Sequence, residues 1–149
     1  LEEQQKTEAI MYILKTEKSF DSAHFLAGYE GKCRNIHGHR WSVEIEVKSE
    51  ELVKDGQLRG MCVDFSTLKS QLEQETDFFD HALIIEKGAL MEKTMEMLKE
   101  EKFNLKIVDF RPTAENFARY FYDRFKAMGY QVNKATVYET PSNCAVYCE

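Results

Sequence analysis

His37-Gly38-His39-Arg40-Trp41-Ser42-Val43-Glu44-Ile45-Glu46-Val47-Lys48 is the stretch from which the rest of the chain can be read. From His39 onward, apolar Trp41, Val43, Ile45 and Val47 interleave with polar Ser42, Glu44, Glu46 and Lys48. Such period-two alternation puts one set on a buried face and the other in water, the mark of a half-buried antiparallel strand. His37 and His39 share the parity of the apolar set. Residues two apart in a strand point the same way, so both imidazoles are expected on the inward face. A partner strand is available upstream, where Tyr12, Leu14, Phe20 and His24 share one parity of an extended stretch from Tyr12 to His24. Hairpin pairing of the two would bring His24 opposite the histidine pair.

Downstream, Asp55-Gly56 marks a turn. Asp64 to Gln74 then reads as a helix with Phe65, Leu68 and Leu72 on its apolar side. A Met-, Lys- and Glu-rich stretch from Ala89 to Glu101 reads as a solvated surface helix, and Lys106 to Phe110 as a short strand. Pro112-Thr113-Ala114-Glu115 opens a stronger helix, with Thr113 as N-cap and Glu115 in the first turn, where the helix dipole favours acid. Phe117, Phe121, Phe125 and Met128 form its apolar stripe and Gly129 stops it. Ala135 to Thr140 and Cys144 to Cys148 read as two strands around Pro141-Ser142-Asn143. The expected class is α+β: a four-stranded antiparallel sheet with helices covering one face.

Composition narrows the function. The chain has 149 residues, 43% hydrophobic and 31% charged, which suits one globular domain. Twenty Lys and Arg against 26 Asp and Glu give a net charge of -6. That balance counts against nucleic-acid and membrane-surface binding, because phosphate contacts need clustered basic charge. No apolar run approaches the ~18 residues of a membrane span. Leu1 to Ile10 is polar and acidic and carries no secretory signal, so it reads as an extension before a start at Met11, the domain is expected over 11–149, and the compartment is expected to be cytoplasmic. Four cysteines without a C-x-x-C pair fit reduced thiols rather than a disulfide scaffold or a zinc knuckle.

Three of the four histidines, His24, His37 and His39, fall into this one hairpin. Three neutral imidazoles with an open fourth position describe a catalytic zinc site; the structural alternative is buried histidines satisfied by backbone carbonyls. Cys33 lies four residues before His37 and is flanked by Lys32 and Arg34. Nearby positive charge favours the thiolate, making Cys33 a candidate base or nucleophile, with a fourth zinc ligand or simple packing as alternatives. His81 follows Asp80, and a carboxylate beside an imidazole can fix its tautomer and hold its proton. Glu139 shares the parity of Ala135 and Val137, which points its carboxylate inward, where it needs a partner such as Arg, Lys or an amidine-like ligand edge.

Together these motifs resemble the 6-pyruvoyltetrahydropterin synthase superfamily. The resemblance rests on Ser22-Ala23-His24, Cys33-Arg34-Asn35-Ile36-His37-Gly38-His39, Val63-Asp64-Phe65, Asp80-His81, Pro112-Thr113-Ala114-Glu115-Asn116 and Tyr138-Glu139-Thr140, in the family's order from Met11 onward. The three-residue spacer between Cys33 and His37 resembles the bacterial 6-carboxy-5,6,7,8-tetrahydropterin synthase branch. The stretch from Ala89 to Phe110 is longer than in compact members.

The resemblance implies a tunnelling fold whose subunits close a β-barrel and stack as a homohexamer, a dimer of trimers with active sites at subunit boundaries. It implies Zn²⁺ on His24, His37 and His39, Cys33 as base, and Asp80 with His81 as the proton-handling pair. Glu139, Thr113 and Glu115 would bind the pterin substrate. The implied reaction is conversion of 7,8-dihydroneopterin triphosphate to 6-carboxy-5,6,7,8-tetrahydropterin with loss of acetaldehyde and triphosphate, in queuosine biosynthesis. Lys32, Arg34 and Arg40 are candidates to meet the triphosphate. Alternatives are elimination of triphosphate without side-chain cleavage, as in 6-pyruvoyltetrahydropterin synthase itself, and a non-catalytic zinc- or pterin-binding protein.

Overall fold

The structure is a computed structural model that describes residues 11–149; the reading of Leu1 to Ile10 as an extension lies outside the described residues. Two long strands, β1 (Tyr12–His24) and β2 (His37–Ser49), pair antiparallel along their whole length, from Tyr12 opposite Ser49 to His24 opposite His37. The inward parity read from the sequence holds. Trp41, Val43 and Ile45 are fully buried, while Ser42, Glu44 and Glu46 between them are only half-buried. β5 (Val132–Thr140) pairs antiparallel with β2, and β6 (Asn143–Tyr147) with β5.

The expected four antiparallel strands are thus present, and two more extend the sheet. β3 (Ala82–Glu86) runs parallel to β1 at Ser22 to His24, and β4 (Leu105–Val108) runs parallel to β3, giving the order β4-β3-β1-β2-β5-β6. β3 lacked the alternation that exposes a strand in sequence, because Ala82, Ile84 and Ile85 are all buried. A strand covered on both faces reads as a plain apolar run.

Helix α1 (Phe65–Asp77) starts where Asp64 accepts a hydrogen bond from the Ser66 amide at 2.8 Å. It buries Leu68, Leu72 and Thr76. Phe65, expected on the same apolar side, sits one turn earlier, overhangs the core and stays 57% exposed. Helix α2 (Glu92–Glu100) buries nothing, as its solvated composition requires. Helix α3 (Ala114–Ala127) is capped by Thr113 and buries Phe117, Phe121 and Phe125 completely. Met128, expected to end that stripe, is the C-cap and is partly exposed; Gly129 follows with φ +98, a left-handed helix stop.

Both α1 and α3 pack on the face that carries Phe20, Trp41 and Val43, forming one core rich in aromatic contacts. The expectation that helices cover one face holds for these two. α2 departs from it. Its Leu98 shares a groove with Ala23 and Leu83, whose parity is opposite to that of Ser22, His24 and Ile84. The core therefore lies on one side of β1 and β2, with the inward histidines at its rim. Among the described residues, no helix is long and apolar enough to cross a membrane.

Candidate active site

The end of the β1–β2 hairpin gathers the three expected imidazoles. His24 and His37 are direct cross-strand partners and His39 lies two residues further along β2. One ring nitrogen of each falls within 4.8 Å of the others, and Cys33 stands outside this converging group. Trp41 closes the floor, its indole edge-to-face with His24 at 4.9 Å.

The hydrogen bonds decide which nitrogens are free. His24 Nδ1 lies 2.7 Å from the Pro112 carbonyl and His37 Nδ1 lies 2.6 Å from the Asn35 carbonyl. A carbonyl only accepts, so each Nδ1 carries the proton and donates it. In neutral rings both Nε2 atoms then present lone pairs, and these face each other at 3.1 Å. His39 Nε2 is buried with no hydrogen-bond partner. Two opposed lone pairs repel unless a proton or a cation lies between them. Burial, opposed by the Pro112 carbonyl and reinforced by His37 and His39, pushes the His24 pKa down to about 4. His24 therefore contributes no such proton at neutral pH. A divalent cation suits the donors: ligands ~2.0–2.1 Å from a tetrahedral zinc lie about 3.3 Å apart. The triad fits such an ion, with the Nδ1–H of His24 and of His37 each anchored on a carbonyl, the outer support that metal-bound histidines almost always have.

Glu139 reaches the same site. β5 bulges here, because Tyr138 pairs with Cys144 and Thr140 with Asn143, leaving Glu139 without a partner on β6. Bulges re-aim a side chain, and this one brings the Glu139 carboxylate 3.6 Å from His39 Nε2. Burial lowers the His39 pKa, Glu139 opposes it, and the His37 charge adds to the lowering.

Cys33 sits in a single 3₁₀ turn, Lys32–Arg34, between β1 and β2, and its carbonyl accepts from the Leu26 amide at 2.8 Å. Its thiol is half-buried. Thr113 spends its hydroxyl oxygen on the Asn116 amide at 3.2 Å. Glu115 projects exposed from the first turn of α3 and makes no ion pair among the described residues.

Asp80 and His81 do form a pair, with Oδ2 and Nδ1 2.7 Å apart. Neighbours in sequence seldom face one another, but His81 adopts φ +55, a left-handed conformation that turns its ring back onto Asp80. The Asp21 amide donates to Asp80 Oδ1 at 2.9 Å and, with the His81 contact, holds the carboxyl below its ordinary pKa. In turn the Asp80 carboxylate raises the His81 pKa. Asp21 and Arg40, joined at 2.9 Å on the sheet face away from the core, are charged neighbours of the pair, as is Lys18. His81, Arg40, Leu83 and Leu98 line an open groove of about 720 Å³ that passes Gly38 and His39 but has neither Cys33, His24 nor His37 in its walls. Within one chain, then, Cys33 does not line the groove that His81 lines. Sequence reasoning missed Asp21, Arg111, Pro112 and Asn116 as supports of these groups; only the opposite parity of Asp21 carried a signal.

Residues 13–149 match the family described as 6-pyruvoyl tetrahydropterin synthase. The chain belongs to that family. It is 37% identical over 143 residues to a protein of Haemophilus influenzae named 6-carboxy-5,6,7,8-tetrahydropterin synthase, covering 93% of this chain and 100% of that one. A Synechocystis protein of the same name is 33% identical over 128 residues, 79% of this chain and 99% of that one. Among solved structures, a Wolinella succinogenes protein superposes with a TM-score of 0.73 at 22% identity, over 94% of this chain and 99% of that one. The Plasmodium vivax 6-pyruvoyltetrahydropterin synthase does so at 0.68 and 19%, over 94% and 98%. These two likenesses establish the pterin-synthase fold, the T-fold expected from the motifs.

Proposed function

We propose that this protein is a zinc-dependent 6-carboxy-5,6,7,8-tetrahydropterin synthase, a lyase acting on 7,8-dihydroneopterin triphosphate in the cytoplasm, on the queuosine route. The observation that carries the reading is the convergence of three imidazoles, with the proton-free nitrogens of His24 and His37 facing each other and His39 beside Glu139. The names of relatives at 33–37% identity support the choice of product.

His24, His37 and His39 would hold the ion. A bound zinc supplies Lewis acidity toward the hydroxyl oxygens of the substrate side chain. Glu139 anchors the guanidine-like edge of the pterin, which two carboxylate oxygens can meet in a bidentate fit. Thr113 and Glu115, at the start of α3 beside Pro112, border the same ring. Cys33 takes the carbon-bound proton beside the pterin. His81, kept charged by Asp80, delivers protons as triphosphate leaves and the side chain is cleaved to acetaldehyde. Since Cys33 does not line the groove that His81 lines in one chain, a complete site takes the pair from a second copy, in keeping with a barrel-forming homohexamer. Lys32, Arg34 and Arg40 supply positive charge for the triphosphate on a protein of net charge -6.

The test is to incubate the zinc-loaded protein with 7,8-dihydroneopterin triphosphate and to measure acetaldehyde and triphosphate together. Equal release of both is expected. Triphosphate without acetaldehyde identifies the pyruvoyl-forming reaction instead, and release of neither leaves a binding protein.

A further inference from the structure

The loop that enters α3 holds its polar groups in an unusual arrangement. In a capping box, the residue three positions after the N-cap is Glu or Gln and accepts a hydrogen bond from the N-cap amide. Here Thr113 is the N-cap and the third position is Asn116, whose amide nitrogen donates to the Arg111 carbonyl at 2.9 Å. The Thr113 amide donates to the same carbonyl at 2.7 Å. That amide and the Pro112 carbonyl belong to one planar peptide unit and point in opposite directions. Fixing the Thr113 N–H on Arg111 therefore fixes the Pro112 C=O in the other direction, and there it meets His24 Nδ1 at 2.7 Å. Pro112 itself has no N–H to compete and a restricted φ. Arg111 extends the same segment: its guanidinium donates to the Ala27 carbonyl at 3.1 Å, in the loop that leads to Cys33.

We propose that Asn116 is a positioning residue for the imidazole triad: by holding the Arg111 carbonyl it orients the Pro112 carbonyl, which keeps the proton of His24 on Nδ1 and leaves Nε2 free for the ion. The proposal rests on the metal-site reading above. Asn116 is exposed and its side chain bonds the Arg111 carbonyl rather than the triad or the proposed substrate groups, so a purely local role of that side chain would have little effect at the site.

Asn116→Asp separates the possibilities. It is isosteric and cannot donate, yet a carboxylate in the first turn of a helix is favoured by the helix dipole, so the helix itself is not weakened. Zn²⁺ affinity is measured on the full chain by competition with a chromophoric chelator, and Co²⁺ spectra report the geometry at the ion. Wild-type protein is expected to bind one Zn²⁺ per chain. Loss of a support behind a metal-bound histidine typically costs about 10–100-fold in metal affinity, so a drop of at least tenfold is expected for Asn116→Asp, with a changed Co²⁺ spectrum and an unchanged metal-free Tm. Asn116→Gln, which keeps the amide donor, is expected to restore affinity to within about threefold of wild type on the same grounds. Wild-type affinity in Asn116→Asp overturns the proposal. So does a metal-free Tm that falls with the affinity, or failure of Asn116→Asp to fold, since either makes Asn116 part of the helix rather than of the site. Failure of the wild-type chain to bind Zn²⁺ refutes the metal-site reading itself.

Discussion

The sharpest prediction concerns His24 without metal. Its side chain is 1% exposed and its pKa lies at about 4, against an ordinary 6.5. The unfolded chain therefore binds a proton here that the folded chain refuses, and stability must fall as pH drops below 6.5, with the loss complete only below 4. At 1.36 kcal/mol per pH unit the full effect is about 3 kcal/mol. At pH 4.5 the same two values give a loss of about 2.5 kcal/mol relative to neutral pH, or very roughly 5–10 °C in Tm for a chain of this size. Carboxylates titrate in the same range, so the measurement is a difference. Wild type and His24→Asn are compared, both stripped of metal, by urea unfolding from pH 7.5 to 4.5 at fixed protein concentration. Asn retains a donor near the position of Nδ1 that can meet the Pro112 carbonyl but does not titrate. Wild type is expected to lose about 2.5 kcal/mol more than the variant across that range. Parallel pH profiles would refute the picture of a buried, neutral imidazole.

Cys33→Ala is expected to abolish turnover while Zn²⁺ content stays at one per chain, read by metal analysis beside the product assay; an active variant removes the thiol as base. In Asp80→Asn the carboxylate that raises the His81 pKa is gone. His81 then loses its proton at lower pH, so the alkaline limb of the kcat profile moves to lower pH, whereas an unmoved limb separates His81 from that proton. Phe117→Ala removes a fully buried ring in contact with Phe20, Trp41, Phe79 and Phe110, and is expected to cost about 3–5 kcal/mol in chemical unfolding. Phe65→Ala, at an overhanging and exposed ring, should cost well under a third of that.

What could be read in advance was whatever depends on periodicity. The alternation from Trp41 to Val47 gave the inner face of β2, and the parity of His24 gave the triad, because a strand's side chains obey a rule of two. Phe117, Phe121 and Phe125 likewise marked the buried side of α3. β3 stayed hidden because burial on both faces erases the alternation, and α2's place on the far face could not be read because its own residues bury nothing. At the site, side-chain identity was legible and backbone partnership was not. Nothing in the letters says that Pro112 offers its carbonyl to His24, nor that Glu139 falls at a bulge. The Asp80–His81 contact needed a left-handed backbone at His81, which histidine adopts more readily than most residues but still too rarely to be read from one letter.

The hairpin register carries a consequence for how this chain can change over evolutionary time. His24 and His37 are the last matched pair of a 13-rung ladder, so each rung from Tyr12 and Ser49 inward is tied to the alignment of the two rings. A one-codon insertion or deletion within either strand, unless absorbed as a bulge, flips every later residue to the other side of the sheet, carrying a ring into water and a charge into the interior. Chemistry and folding would fail in one step. Length variation is thus expected only in segments off the ladder, such as the loop carrying Cys33 or the crossover between β3 and β4, where an added residue leaves the rings in line.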